Sequence, residues 1–186
     1  MPVRSRSRYP ASWARQAPAR HGGSMWQRLK QFLRGGPARG PSGDDPLVRS
    51  SDLERLDRLR RHARERATRD RADARYRMLL VGGDATLSLE QRSAAVAACT
   101  DRAVLAYVAR SAREESLRRI AVDRLDSPRV LMEVALNDPV CRLRRHAVTR
   151  IDDPECLEAI AQDANTADQR VARDAGRRLR SVREAG

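Results

Sequence analysis

A nine-residue pattern that recurs at a near-constant interval limits what this chain can fold into. Leu117-Arg118-Arg119-Ile120-Ala121-Val122-Asp123-Arg124-Leu125 returns 26 positions later as Leu143-Arg144-Arg145-His146-Ala147-Val148-Thr149-Arg150-Ile151. Degraded copies flank the pair: Val171 to Leu179 follows after another 28 positions, and Gln91 to Cys99 precedes by 26. A second element keeps the same register: Val104 to Ala109, Val130 to Ala135 and Cys156 to Ala161. Turn signals separate the two elements at Asp126-Ser127-Pro128, Asn137-Asp138-Pro139 and Asp152-Asp153-Pro154. Each unit therefore reads as a short helix, a turn, a longer helix and a turn. Leu117, Ala121 and Leu125 put one apolar face on each longer helix. A single hairpin cannot bury that face, so the units must stack. The expected fold class is all-α.

The unit resembles the HEAT repeat. The residues that carry the likeness are the Asp138-Pro139 turn, Leu143-Arg144 opening the second helix, Ala147 three positions after that arginine, and Ile151 four beyond. The unit is shorter than a standard repeat. Its compact spacing is similar to repeats found ahead of a domain of unknown function in multi-domain bacterial proteins. The likeness covers residues 84–183 and implies a short right-handed solenoid of about three and a half helical hairpins. It also implies that Arg92, Arg118 and Arg144, one per unit, pair with turn acids such as Asp138 and tie adjacent units together.

Ahead of residues 84–186, the repeat domain, the chain changes character. Residues 1–24 are rich in Arg, Ser, Pro and Ala without apolar periodicity, and read as a disordered basic tail. Gly22-Gly23-Ser24 can be encoded by a purine-rich, ribosome-binding-like tract, which makes Met25 a candidate start of translation. Residues 25–34 form an amphipathic helix with Trp26, Leu29, Phe32 and Leu33 on one face. That face suits a membrane surface, a partner groove or the chain's own repeats. Residues 35–51 read as a linker. Residues 52–83 read as one long Arg-rich helix with a solvated middle, supported by Glu54–Arg58, Asp57–Arg61, Glu65–Arg69 and Asp73–Arg77 at i,i+4.

The net charge of +13 is uneven: +5 over residues 1–24, +7 over 25–83 and +1 over 84–186. The basic N-terminal part suits a polyanion, while the near-neutral repeats do not demand one. Two further arginine columns are candidate partner-binding stripes, Arg119, Arg145 and Arg173, and Arg124, Arg150 and Arg178. Opposing that reading are Asp123, Asp126, Asp152 and Asp153, which balance them as a solvated face. Aromatic residues make up 3% of the chain, too few to offer a stacking platform for bases.

Cys99, Cys141 and Cys156 have no paired spacing, so neither a disulfide framework nor a zinc site is implied, and a reduced cytoplasmic location follows. Cys99 and Cys156 fall in core columns, Cys141 in a turn, and His146 in the column of Ile120. No phosphate-loop, nucleophile-elbow or metal-ligand motif occurs. The expectation is a non-catalytic scaffold without a cofactor that binds another protein along its repeats, with nucleic acid as the alternative partner.

Overall fold

The computed structural model describes residues 46–163 and 169–185, all within the unit Asp44–Gly186. Among them are ten α-helices and no strand. They are α1 (Pro46–Arg49), α2 (Leu53–His62), α3 (Arg66–Leu80), α4 (Leu89–Ala98) and α5 (Arg102–Ser111), followed by α6 (Glu115–Arg124), α7 (Pro128–Asn137), α8 (Cys141–Thr149), α9 (Pro154–Gln162) and α10 (Gln169–Ala185).

The helix starts follow from side chains that satisfy the first free amides. Asp52 accepts from the Arg55 amide at 2.9 Å, Asp101 from Ala103 at 2.9 Å, and Asp153 from Cys156 at 2.8 Å. Ser88 and Gln91 form a reciprocal capping box at the start of α4. Pro128 and Pro154 open α7 and α9, where no amide donor is missed.

Consecutive helices pack as pairs: α2 on α3, α5 on α6, α7 on α8 and α9 on α10. Between pairs, α4, α6, α8 and α10 follow one another in contact, as do α3, α5, α7 and α9. The core lies between these two rows. Leu117, Ala121, Leu125, Leu143, Ala147, Ile151, Val171 and Ala175 are all buried, one recurring face per unit. Small residues at Ala121, Ala147 and Ala175 allow neighbouring helices to approach closely.

Two expectations need correction. The stretch 52–83 is not one helix. It breaks after His62, and α2 folds back onto α3. The reason is burial. Leu56 is fully buried and Leu59 is packed against the core, whereas a continuous helix would leave both in water. Its middle is also less solvated than expected, since the Arg60 side chain is 4% exposed. Of the expected i,i+4 pairs, Asp57–Arg61 (2.9 Å) and Asp73–Arg77 (2.8 Å) form. Glu65 instead accepts from Thr68, and Arg69 turns back to the carbonyls of Ala63 (2.8 Å) and Arg64 (3.2 Å). The expected linker, in turn, contains the short helix α1. Ser50, just beyond it, accepts at its carbonyl from Arg75 at 2.8 Å.

The α2–α3 turn is a copy of the α5–α6 turn. Ala63-Arg64-Glu65 and Ala112-Arg113-Glu114 are the same tripeptide. Ala63 and Ala112 end their helices at φ −61°, ψ 137° and φ −63°, ψ 138°. Arg118 donates to the carbonyls of Ala112 (2.9 Å) and Arg113 (3.0 Å), as Arg69 does in the earlier turn. The hairpin geometry therefore begins at Asp52, ahead of the expected boundary at residue 84. Between α3 and α4 the chain reverses at Gly82, whose φ of +78° is adopted at little cost only by glycine. A Cβ there would also meet the Arg92 guanidinium at 2.5 Å.

The tail 1–24 and the amphipathic face of Trp26, Leu29, Phe32 and Leu33 lie outside the described residues. No helix among the described residues is long and apolar enough to cross a membrane.

Candidate functional site

The three arginine columns occupy three different environments. The first reaches across the seams between units. On α4, Arg92 holds Glu114, the residue just before α6, through two bonds at 2.8 and 3.0 Å. On α6, Arg118 grips Asp138 in the α7–α8 turn at 2.6 and 3.2 Å while capping its own turn. This pair is nearly dry, with side chains 6% and 2% exposed. Asp138 also accepts from the Val140 amide at 2.8 Å, so its carboxylate closes both its own turn and the seam. On α8, Arg144 donates to the Asp138 carbonyl at 2.7 Å. The partner of Asp138 is thus Arg118 of the preceding unit, and Arg144 binds that residue through its main chain.

Electrostatics agree with the geometry. The bond from Arg92 holds the Glu114 carboxyl below the ordinary carboxylate range. Burial pushes Asp101 upward, but bonds from Arg60 and from the Val104 and Ala103 amides outweigh it, and its carboxyl is lowered. Arg60, reaching Asp101 at 2.7 Å and lying 4.7 Å over the Tyr76 ring, ties α2 to the start of α5. Burial is the main reason the Tyr76 phenol is pushed up to about 12.

The third column, expected as a second partner-binding stripe, is tied within the chain while Arg124 and Arg150 stay exposed. Each member reaches back to the C-terminal end of the preceding helix in the α4, α6, α8, α10 row; the helices of the two rows are of nearly equal length from α4 to α9, where a longer second helix was expected. Arg124 donates to the Cys99 carbonyl at 3.1 and 3.3 Å, and Arg150 to the Asp123 carbonyl at 3.1 Å. Arg178 bonds the Ile151 carbonyl at 3.4 Å and pairs with Asp152. A guanidinium there satisfies orphan carbonyls and meets the negative end of the helix dipole. Once the neighbouring helix is close enough, an arginine at this position serves the seam first.

The middle column is the most exposed. Arg119 is exposed and makes no hydrogen bond among the described residues. Arg145 reaches Asp174 on α10 at 2.6 Å, and Arg173 donates to the Gln169 carbonyl of its own helix at 3.3 Å. Of the expected balancing acids, Asp126 pairs with Arg102, Asp152 with Arg178, and Asp153 caps α9. Asp123 accepts from His146 at 2.5 Å, linking α6 to α8, so His146 is a seam contact as well. Cys99 and Cys156 are buried, in keeping with their columns, and Cys141 is half-buried. Burial first, and then Asp153, push the Cys156 thiol up to about 12, far from a reactive thiolate.

Sequence reasoning missed one opening in this surface, a cleft of about 530 Å³ between α2 and α4. Asp52, Glu54 and Asp57 form one wall and Ala94, Ala95 and Ala98 the other, with Tyr76 and Leu87 also contributing. A signal was available. The positions of Ala94, Ala97 and Ala98 on α4 correspond, 26 residues on, to Ile120, Asp123 and Arg124 on α6. The large seam-filling residues of the later helices are thus alanines on α4. Arg69 was missed too. Its signal was the repeated Ala-Arg-Glu tripeptide.

Neither a protein-family model, nor a curated protein, nor a solved structure matches the chain.

Proposed function

We propose that this chain is a non-catalytic protein-interaction scaffold, a short solenoid of HEAT-like helical hairpins that offers a partner its repeated outer surface. The observation that carries this reading is the recurrence of one seam chemistry from α2 to α10. Arg69, Arg118 and Arg144 serve the hairpin turns, Arg92 and Arg118 reach the next unit, and Arg124, Arg150 and Arg178 reach back. Such a seam supports an extended array whose surface grows with each unit, an arrangement suited to binding by shape. The same observation weighs against the nucleic-acid alternative, because most of the arginines in register are bonded within the chain.

The test compares partner capture by the full chain with its binding to duplex DNA and to RNA as salt is raised. The scaffold reading expects captured protein to survive nuclease treatment and about 0.2 M salt. A nucleic-acid binder would instead lose roughly a thousandfold or more in affinity between about 50 and 200 mM salt if several phosphates were engaged. Capture that disappears with nuclease, together with such a salt slope, would overturn the scaffold reading.

A further inference from the structure

We infer that the α2–α4 cleft is a docking groove for an amphipathic helix of a partner protein, one with a small apolar face flanked by Lys or Arg. The inference rests on the scaffold reading and names where on the array a partner sits.

Three observations carry it. The first is register. At the seams between α4 and α6, between α6 and α8, and between α8 and α10, the later helix sends an arginine back to the earlier one, from Arg124, Arg150 and Arg178 respectively. On α4 the same position is Ala98, which is exposed. No backward tie forms there, and the cleft occupies the space. The row α4, α6, α8, α10 thus begins with an open seam of the kind its other members close with a helix.

The second is surface chemistry. Ala94, Ala95 and Ala98 offer methyl groups on one helix face, with Leu53 and Leu87 also lining the cleft. Small side chains let another helix approach to packing distance, and apolar ones favour it over water. The half-buried Leu53 and Leu87 already pack against the core, so an incoming helix would extend an existing apolar layer.

The third is charge. On the α2 wall, Asp57 is already held by Arg60 and by Arg61, which lines the same cleft. The Asp52 carboxylate accepts only from the Arg55 amide, at 2.9 Å, and the Asp52 amide itself donates to the Ser50 hydroxyl at 3.3 Å. Glu54 is exposed and makes no hydrogen bond or ion pair among the described residues. Two carboxylates without a cationic side chain therefore line a cleft in a protein of net charge +13. A basic flank on the incoming helix meets them, and an acidic flank is repelled.

The experiment uses the full chain labelled at alanine methyl carbons. The probe is a synthetic amphipathic peptide about 16 residues long, enough to hold a helix on binding, with a Leu and Ala face and Lys flanks. A second peptide carries Glu in place of Lys. The lysine peptide is expected to shift the methyl signals of Ala94, Ala95 and Ala98 while those of buried Ala121 and Ala147 stay in place. Ala98→Arg fills the cleft and should abolish the shifts. Glu54→Lys should weaken binding roughly three- to tenfold at low salt, as expected for reversal of a rim charge. Unmoved Ala94, Ala95 and Ala98 signals, or equal shifts from the glutamate peptide, would overturn the docking groove. If Ala98→Arg still captures the same protein partners as the unaltered chain, the groove fails and the scaffold stands. If no form of the chain captures protein, the scaffold fails as well.

Discussion

Replacing Arg118 with alanine is expected to destabilise the fold by about 3–5 kcal/mol, because it leaves a buried carboxylate without its cation. Asp138 has a side chain only 2% exposed and would keep one amide donor, Val140, in place of three. The carbonyls of Ala112 and Arg113 would lose their donor at the same time. Part of the cost belongs to the stranded charge. Asp138→Asn in the Arg118→Ala background should therefore be less damaging than Arg118→Ala suggests, giving a positive coupling in a double-mutant cycle. Arg118→Lys should recover little, since an ammonium cannot reach the carboxylate in bidentate fashion and two carbonyls at once. Urea unfolding followed by circular dichroism reads all of these. Arg119→Ala, one residue away, should stay within about 0.5 kcal/mol, as surface substitutions generally do. Equal losses at Arg118 and Arg119 would remove the distinction between the columns.

Leu117→Ala is the second large effect, with an expected loss of about 2–5 kcal/mol from the lost transfer energy and the cavity left behind. Leu117 is fully buried on α6, and α6 packs on α4, α5 and α8. Its neighbours are held on several sides and have little freedom to collapse into the space. In a stacked array, stability is close to a sum of unit terms and nearest-neighbour seams. An interior unit contributes to two seams, a terminal one to a single seam. Leu179→Ala on the last helix removes the same atoms from a half-buried position and should cost less. A reversed order of the two variants would contradict the stacking of α4, α6, α8 and α10.

The legible part of this fold was whatever depends on period. The columns Leu117, Leu143 and Val171 and Ala121, Ala147 and Ala175 lie in the core because a recurring apolar face has only one way to be buried. The tie from Arg118 to Asp138 was legible as a class of contact, an arginine with a turn acid, but not in its direction along the array. Three features were hidden for physical reasons. The break at Ala63-Arg64-Glu65 contains neither Gly nor Pro. It forms because Arg69 caps the carbonyls five and six residues before it, and because Leu56 becomes buried, a tertiary effect that overrides local helix preference. The backward reach of Arg124, Arg150 and Arg178 depends on the distance between consecutive helices of the α4, α6, α8, α10 row, which charge patterning does not encode. The cleft arises from what Ala98 lacks, which shows only when Ala98 is set beside Arg124, its counterpart 26 residues on.

The central claim is that the arginines repeated in register hold this array together from within. The side-chain Nε–H signals of a nitrogen-labelled chain test it most directly, because hydrogen bonding and burial slow exchange with water. Arg118 Nε–H, bonded to Asp138 at 2.6 Å in a buried pair, is predicted to persist near neutral pH, with Arg119 lost to exchange. The assignments follow from the signals that vanish in Arg118→Lys and Arg119→Lys. Equal exchange at Arg118 and Arg119 would contradict the account.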